Sequence, residues 1–278
     1  MSIQFGAEEP AGYLARVVKI ASTWAAQLVR SPSHARSAEA AGRLARHALL
    51  AFVVAGVLIV TLMIWFDTWE ITLMPPRGTG SLWPLRILTD FGKDSCVLAV
   101  LAVLLLFVLL VAPVRRKPAQ TWLLDLGLGL QFVLLSVAAP LAVGEVLKWA
   151  VGRGRPFVGG PANAFNFEHF AGTGAYSSFP SAHCITAFAL AFAVSALWPR
   201  IRGLMIAYAL VIAATRLVLL AHHPSDVVAG ATIGIIGAMC VRYWFAARGL
   251  VFAIGENGVI SRDAEARLKG VAAGPSAP

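Results

Sequence analysis

The sequence predicts an all-α integral membrane protein, a six-transmembrane helix bundle with its functional site at the outer face. Two observations carry this. Of 278 residues, 58% are hydrophobic and 13% charged, with mean hydropathy +0.75, whereas a soluble domain carries about 25% charged residues. Too few charges remain to cover a water-facing surface, which excludes a soluble enzyme, a disordered chain and a fibrous protein. The apolar residues also gather into six runs. Each approaches the roughly 20 helical residues that cross a hydrocarbon core.

The first four runs, 48–66, 95–114, 126–144 and 182–199, hold no charge. The fifth, 203–221, holds only Arg216, and the sixth, 227–241, is bounded by Asp226 and Arg242. The six-span domain is therefore expected over 48–245, with an N-terminal segment over 1–47 and a flexible C-terminal tail over 246–278. In the N-terminal segment Leu14, Val17, Val18, Ala21, Ala25 and Leu28 recur at helical spacing among Arg16, Lys19 and Arg30. That pattern reads as a helix lying on the inner membrane face or as an unstructured tail. The first run follows a 47-residue segment and shows no small-residue cleavage site, so a removable signal peptide is not expected.

The charge balance sets orientation. Net charge is +9, from 23 basic and 14 acidic residues. With the N-terminus in the cytoplasm, 16 of the 23 basic residues fall inside, which favours both termini in the cytoplasm of a cell inner membrane and the site on the periplasmic side. No soluble basic domain exists to bind nucleic acid. Cys96, Cys184 and Cys240 lie within apolar runs without metal-ligand spacing, and read as buried hydrophobes rather than a disulfide or zinc site. Trp65, Trp69, Trp83, Trp149 and Trp198 sit near span ends, as an aromatic belt does.

Three polar clusters interrupt the apolar pattern, all at one face. The first is Lys148-Trp-Ala-Val-Gly-Arg-Gly-Arg155-Pro156, after the third run. The second is Ser178-Phe-Pro180-Ser181-Ala182-His183, before the fourth. The third is Thr215-Arg216, His222 and Asp226, between the fifth and sixth. Charges at membrane depth are costly and functional. Lys148, Arg155 and Arg216 together require an anion, and phosphate suits the arginine fork and the lysine point charge. Pro180 suits a helix start, where the amides of Ser181, Ala182 and His183 would face the anion with the Ser181 hydroxyl. Asp226, four residues after His222, would accept a hydrogen bond from one ring nitrogen and leave the other free to attack phosphorus. His183 would protonate the leaving oxygen. Three cations then stand in for a metal, and neither a metal nor a cofactor is expected.

These three clusters, in this order and spacing, resemble the motifs of the type 2 phosphatidic acid phosphatase family. The resemblance runs over 148–226 by motif and about 48–245 by layout. It implies a membrane lipid phosphatase with Lys148, Arg155, Ser181, Ala182 and Arg216 as phosphate binders. His183 is then the general acid, His222 the nucleophile and Asp226 its partner. Ala182 replaces the family's usual glycine and Thr215 its usual serine. The expected partners are membrane lipids and a lipid phosphate substrate: undecaprenyl pyrophosphate, phosphatidylglycerol phosphate, phosphatidic acid or a lipid A phosphate. A lipid-linked phosphotransferase using the same phosphohistidine is the alternative. A non-catalytic transporter or binding protein would place its charges near mid-membrane instead.

Neighbouring residues carry plainer expectations. Arg153 reads as a headgroup contact, His223 as a loop residue, and Glu145 as either a partner for Lys148 or an exposed carboxylate. The segment 157–178 holds Phe157, Phe165, Phe167, Phe170 and Tyr176 with few charges. It suits a cover resting on lipid, past which substrate enters sideways, or aromatics packed on the bundle.

Overall fold

The computed structural model describes residues 12–32, 37–156, 158, 163–255 and 258–262. Phe157, the beginning of the N-terminal segment and the tail beyond Arg262 lie outside the described residues. Among the described residues nine α-helices follow one another: α1 (Tyr13–Val29), α2 (Ser37–Trp65), α3 (Asp67–Leu73), α4 (Trp83–Asp90), α5 (Asp94–Val111), α6 (Lys117–Val151), α7 (Ala182–Leu197), α8 (Arg202–Val218) and α9 (Pro224–Ala247). A two-stranded antiparallel hairpin, β1 (Ala253–Ile254) and β2 (Ile260–Ser261), pairs Ala253 with Ser261 and Ile254 with Ile260.

Each of the six apolar runs lies on a helix. Among the described residues five helical stretches are long and apolar enough to cross a membrane: Ser37–Trp65, Gly80–Val114, Lys117–Val151, Pro199–Val218 and Pro224–Ala247. The protein is a multi-pass membrane protein. The fourth run makes a shorter helix than its 18 apolar residues suggested, because Trp198 leaves the helical region at φ −131°. At 16 residues, α7 measures about 24 Å. It is sheathed by α6, α8 and α9, and its Cys184, Ile185, Ala187, Ala189 and Ala193 are fully buried. The outer surface of α2 is the reverse. Leu49, Phe52, Val57 and Val60 are all exposed, as lipid-facing residues must be. Trp65, Trp69, Trp83, Trp149 and Trp198 are exposed too, which fits an aromatic belt.

Small residues bring the central helices together. A Cβ on Gly230 would meet the Ser181 carbonyl, one on Gly234 the Ile185 carbonyl, and one on Gly237 the Pro140 ring. Close backbone approach through such residues is how membrane helices gain van der Waals contact without a hydrophobic driving force. The main core stacks Phe132, Val133 and Val137 of α6 against Ala189 and Ala193 of α7 and Ala238 and Phe245 of α9. The Phe132 ring meets those of Phe245 and Phe252 edge-on, with centroids 5.4 and 4.8 Å apart.

Both flanking segments differ from expectation. Tyr13–Val29 does form a helix, but α1 docks by burying Trp24 against Val108, Ala112 and Leu123, while the Tyr13 hydroxyl donates to the Leu110 carbonyl at 2.9 Å. Leu14 and Val18 stay exposed, so only part of its apolar face is available to lipid. The tail expected from residue 246 begins as core instead: Ala246, Ala247, Leu250, Val251, Phe252 and Ile254 are buried. Of the cysteines, only Cys184 is buried; Cys96 and Cys240 lie exposed on helix surfaces.

Candidate active site

The site assembles where α6 ends and α7 and α9 begin. Lys148 occupies the last turn of α6 and forms an ion pair with Glu145, three residues earlier on the same face. Gly152, at φ 57°, caps the helix and lies so close to the Glu168 carbonyl that any Cβ there would clash. The turn sends Arg153 inward. It is not the headgroup contact expected from the sequence but a buried fork, 1% exposed. Its Nη1 donates to Asp226 Oδ1 and Ser225 Oγ, both at 2.6 Å, and its Nη2 to Asp67 Oδ2 at 2.7 Å and the Ala164 carbonyl at 2.8 Å.

Asp226 lies at the third helical position of α9 and is fully buried. Its Oδ2 accepts from the Ser178 hydroxyl at 2.6 Å, the His223 backbone N–H at 2.9 Å and His223 Nδ1 at 3.2 Å. His223 is therefore no loop residue. It is the N-cap of α9 in a capping box closed by Asp226.

The expected His222–Asp226 hydrogen bond is not made: His222 Nδ1 stands 3.9 Å from Asp226 Oδ2. Nδ1 lies 2.8 Å from the Ser178 carbonyl instead. A carbonyl only accepts, so Nδ1 carries the proton and the lone pair is on Nε2. Asp226 acts on His222 at one remove, by holding Ser178. Burial above all pushes the His222 pKa well below its ordinary 6.5; the Arg216 and Arg155 charges add to this, while Asp226 and the Ser178 hydrogen bond oppose it. The Ser178 contact fixes one tautomer of the His222 imidazole.

The phosphate-binding candidates converge around it. Lys148, Arg155 and Arg216 act electrostatically on His183, and Arg155 and Arg216 act also on His222. Arg155 Nε, Arg216 Nε and Ser181 Oγ are buried without a hydrogen-bond partner, the Ser181 hydroxyl having only the weak Cys184 thiol as a neighbour. Buried donors in native proteins are ordinarily paired, and these three suit one tetrahedral anion. Ala182 and His183 open α7 with the amides of its first turn. The Ser181 amide, expected to face an anion, instead donates to the Asp226 carbonyl at 3.1 Å.

Three contributors escaped sequence reasoning. Thr89 of α4 accepts from Arg216 Nη1 at 2.9 Å and sits 3.0 Å from the Thr215 hydroxyl, fixing the Arg216 side chain. Ser225 donates its N–H to Asp67 Oδ1 at 3.1 Å and its hydroxyl to Oδ2. Asp67 starts α3 and is fully buried. A carboxylate directly after the first apolar run was the one sequence signal for it.

The PAP2 superfamily matches residues 129–250, from mid-α6 to just past α9. A lipid A 1-phosphatase of Rhizobium johnstonii is 34% identical over 178 residues, covering 62% of this chain and 71% of the relative. The lipid A 1-phosphatase of Rhizobium etli is 33% identical, covering 62% and 75%. The chain belongs to the PAP2 superfamily. It is a phosphatase, a hydrolase. A protein of Escherichia coli with the provisional name undecaprenyl-diphosphatase is 36% identical over 136 residues, 46% of this chain and 64% of the relative. No solved structure matches the chain. The PAP2 match holds all three polar clusters, but Asp67 and Thr89 lie before it.

Proposed function

We propose that this PAP2 protein is a membrane lipid phosphatase that works through a phosphohistidine on His222. The supporting observations are the His222 Nδ1 hydrogen bond to the Ser178 carbonyl, 2.8 Å long, which leaves the lone pair on Nε2, and the unspent donors of Arg155, Arg216 and Ser181. Lys148, Arg155 and Arg216, the Ser181 hydroxyl and the Ala182 amide hold the phosphoryl oxygens. Nε2 attacks phosphorus, the ester P–O bond breaks, and His183 gives its proton to the leaving oxygen. The deprotonated His183 then takes a proton from water as its oxygen attacks phosphorus, and the N–P bond breaks to release inorganic phosphate and the free imidazole. Cationic side chains stabilise the equatorial oxygens in both steps.

The substrate is a lipid phosphomonoester or pyrophosphate. The relatives' names point to lipid-linked phosphates, and the exposed Phe165, Phe167 and Phe170 beside the site suit entry from the bilayer. Six helices cross the inner membrane, α7 being the short one, with both termini in the cytoplasm and the site outside.

The test is an acid- or base-quenched single turnover with a labelled lipid phosphate in detergent and EDTA. A phosphoenzyme stable to base and labile to acid is expected, lost in His222→Ala. A phosphoenzyme that persists in His222→Ala, or turnover that needs added magnesium, would refute the mechanism.

A further inference from the structure

Toward the end of the bundle away from the catalytic site, α7, α8 and α9 part around a cleft of about 420 Å³. Its walls are apolar, with Phe188 and Ala196 of α7, Ile206 of α8 and Ile235 of α9 among others. Two charged residues line it as well: Arg202, the first residue of α8, and Arg242, in the last two turns of α9. Ile235 lies two turns deeper along α9 than Arg242, about 10 Å toward the middle of the membrane. Ile206 and the neighbouring Leu210 are exposed, so the open side of the cleft faces lipid.

The arginines stand close enough that the charge of Arg202 acts on Arg242. No acidic residue lines the cleft among the described residues. Helices α7 and α8 carry no carboxylate. The one on α9, Asp226, lies at the catalytic end, about 24 Å from Arg242 along the helix axis. Glu39, at the start of α2, lines a separate cavity with Arg43 and Arg46. Neither Arg202 nor Arg242 belongs to an ion pair among the described residues. Arg242 Nη2 donates to the Ile260 carbonyl and its guanidinium lies over the Phe252 ring, but its Nε is buried without a partner. Two like charges side by side at a membrane edge call for an anion. Basic pockets between membrane helices take the anion from a lipid headgroup.

We propose that this cleft binds an anionic phospholipid at a site distinct from the catalytic one, with the headgroup phosphate between Arg202 and Arg242 and an acyl chain along Phe188, Ile206 and Ile235. The apolar walls match a hydrocarbon chain. The paired arginines match a phosphodiester and disfavour a headgroup that brings its own cation. The lipid is bound and not cleaved, so the site stands whether or not the phosphatase mechanism holds. The rival occupant is the acidic stretch of this chain with Asp263 and Glu265, which follows Arg262 in sequence. Arg262 Nη1 donates to the Leu197 carbonyl at 2.6 Å, at this same end of the bundle. The lipid-facing opening favours the phospholipid.

The test is native mass spectrometry of the full chain in detergent with equimolar dioleoyl phosphatidylglycerol and dioleoyl phosphatidylcholine, reading the lipid retained. The wild type should retain phosphatidylglycerol about tenfold over phosphatidylcholine. Arg202 makes no hydrogen bond among the described residues. Arg202→Gln should therefore leave the fold intact and cut the preference severalfold, whereas Arg202→Lys should keep most of it. Arg202→Gln with Arg242→Gln should abolish the preference. Ala196→Phe, which fills the cleft without touching a charge, should lower the retained phosphatidylglycerol. Arg115→Gln with Arg116→Gln, two exposed residues at the same end but outside the cleft, should change nothing. Equal retention of the two lipids by the wild type, or a preference unmoved by Arg202→Gln, would overturn the site. So would an equal loss in the Arg115 and Arg116 control. Inorganic phosphate has the charge without the chain. If it displaces phosphatidylglycerol at equal concentration, the site belongs to a soluble anion and the lipid assignment fails. If Asp263→Asn with Glu265→Gln raises the retained phosphatidylglycerol severalfold, the acidic stretch fills the cleft in the native chain and the proposal fails.

Discussion

Removing the guanidinium of Arg153 would leave the carboxylates of Asp67 and Asp226 facing each other without a cation, both fully buried. Breaking a buried ion pair from one side costs about 3–5 kcal/mol. Arg153→Ala is therefore expected to lower the melting temperature in detergent sharply. Asp67→Asn, which keeps the shape, should lower kcat more than it changes KM, because it loosens Ser225 and the start of α9 without touching substrate. Thermal melts and Michaelis curves on both variants check this. Glu70, one turn after Asp67, gives a pH signature. Burial, and then the Asp67 charge, raises its carboxyl from 4.5 to about 7. The folded chain thus keeps a proton that the unfolded chain releases above 4.5, so its contribution to stability falls as pH rises from there to about 7. Glu70→Gln should flatten that fall and melt higher than wild type at pH 8. An unchanged difference between melts at pH 5 and pH 8 would argue that Glu70 is not the group responsible.

Among the elements, α4 shows most clearly what local sequence conceals. Its eight residues are too few for a periodic signal, and nothing in them announces that Thr89 will hold Arg216 from 127 positions away. Thr89→Val should free the Arg216 fork and cost about tenfold in kcat/KM, the loss of one charge-assisted hydrogen bond of about 1.5 kcal/mol. Steady-state kinetics would show it, and an unchanged value would mean that Thr89 does not position Arg216. Where the signal was a long apolar run, the sequence was readable: all six runs lie on helices, and the three clusters meet at one end of the bundle. Partners were not readable. Arg153 looked like a headgroup contact because Asp67 and Asp226 lie 86 and 73 residues away. His222 was paired with Asp226 by spacing, but Ser178 from another loop reaches its ring first. Burial of Leu250 to Ile254 was hidden because that stretch is short and has no helical period.

At the scale of the whole molecule, orientation is the property to measure. The proposed orientation, with both termini in the cytoplasm, would put the 163–178 loop outside. In a chain with Cys96, Cys184 and Cys240 replaced, a single Thr173→Cys is expected to react with an impermeant maleimide on intact cells. Reaction only after the membrane is breached would reverse the orientation. The buried link from Asp67 to Arg153 and Asp226 has a further meaning for how the protein is made. Arg153 enters the bilayer region in one segment, and its counter-charges arrive in two others, one synthesised before it and one after. Until all three are present, at least one charge has no mate. A fragment cut to residues 129–250, though it contains every proposed catalytic group, would lack Asp67 as well as Thr89 and keep Arg153 and Arg216 short of partners. The smallest chain able to mature should therefore begin upstream of residue 67, and supplying the missing N-terminal piece as a separate polypeptide should restore the fragment's assembly.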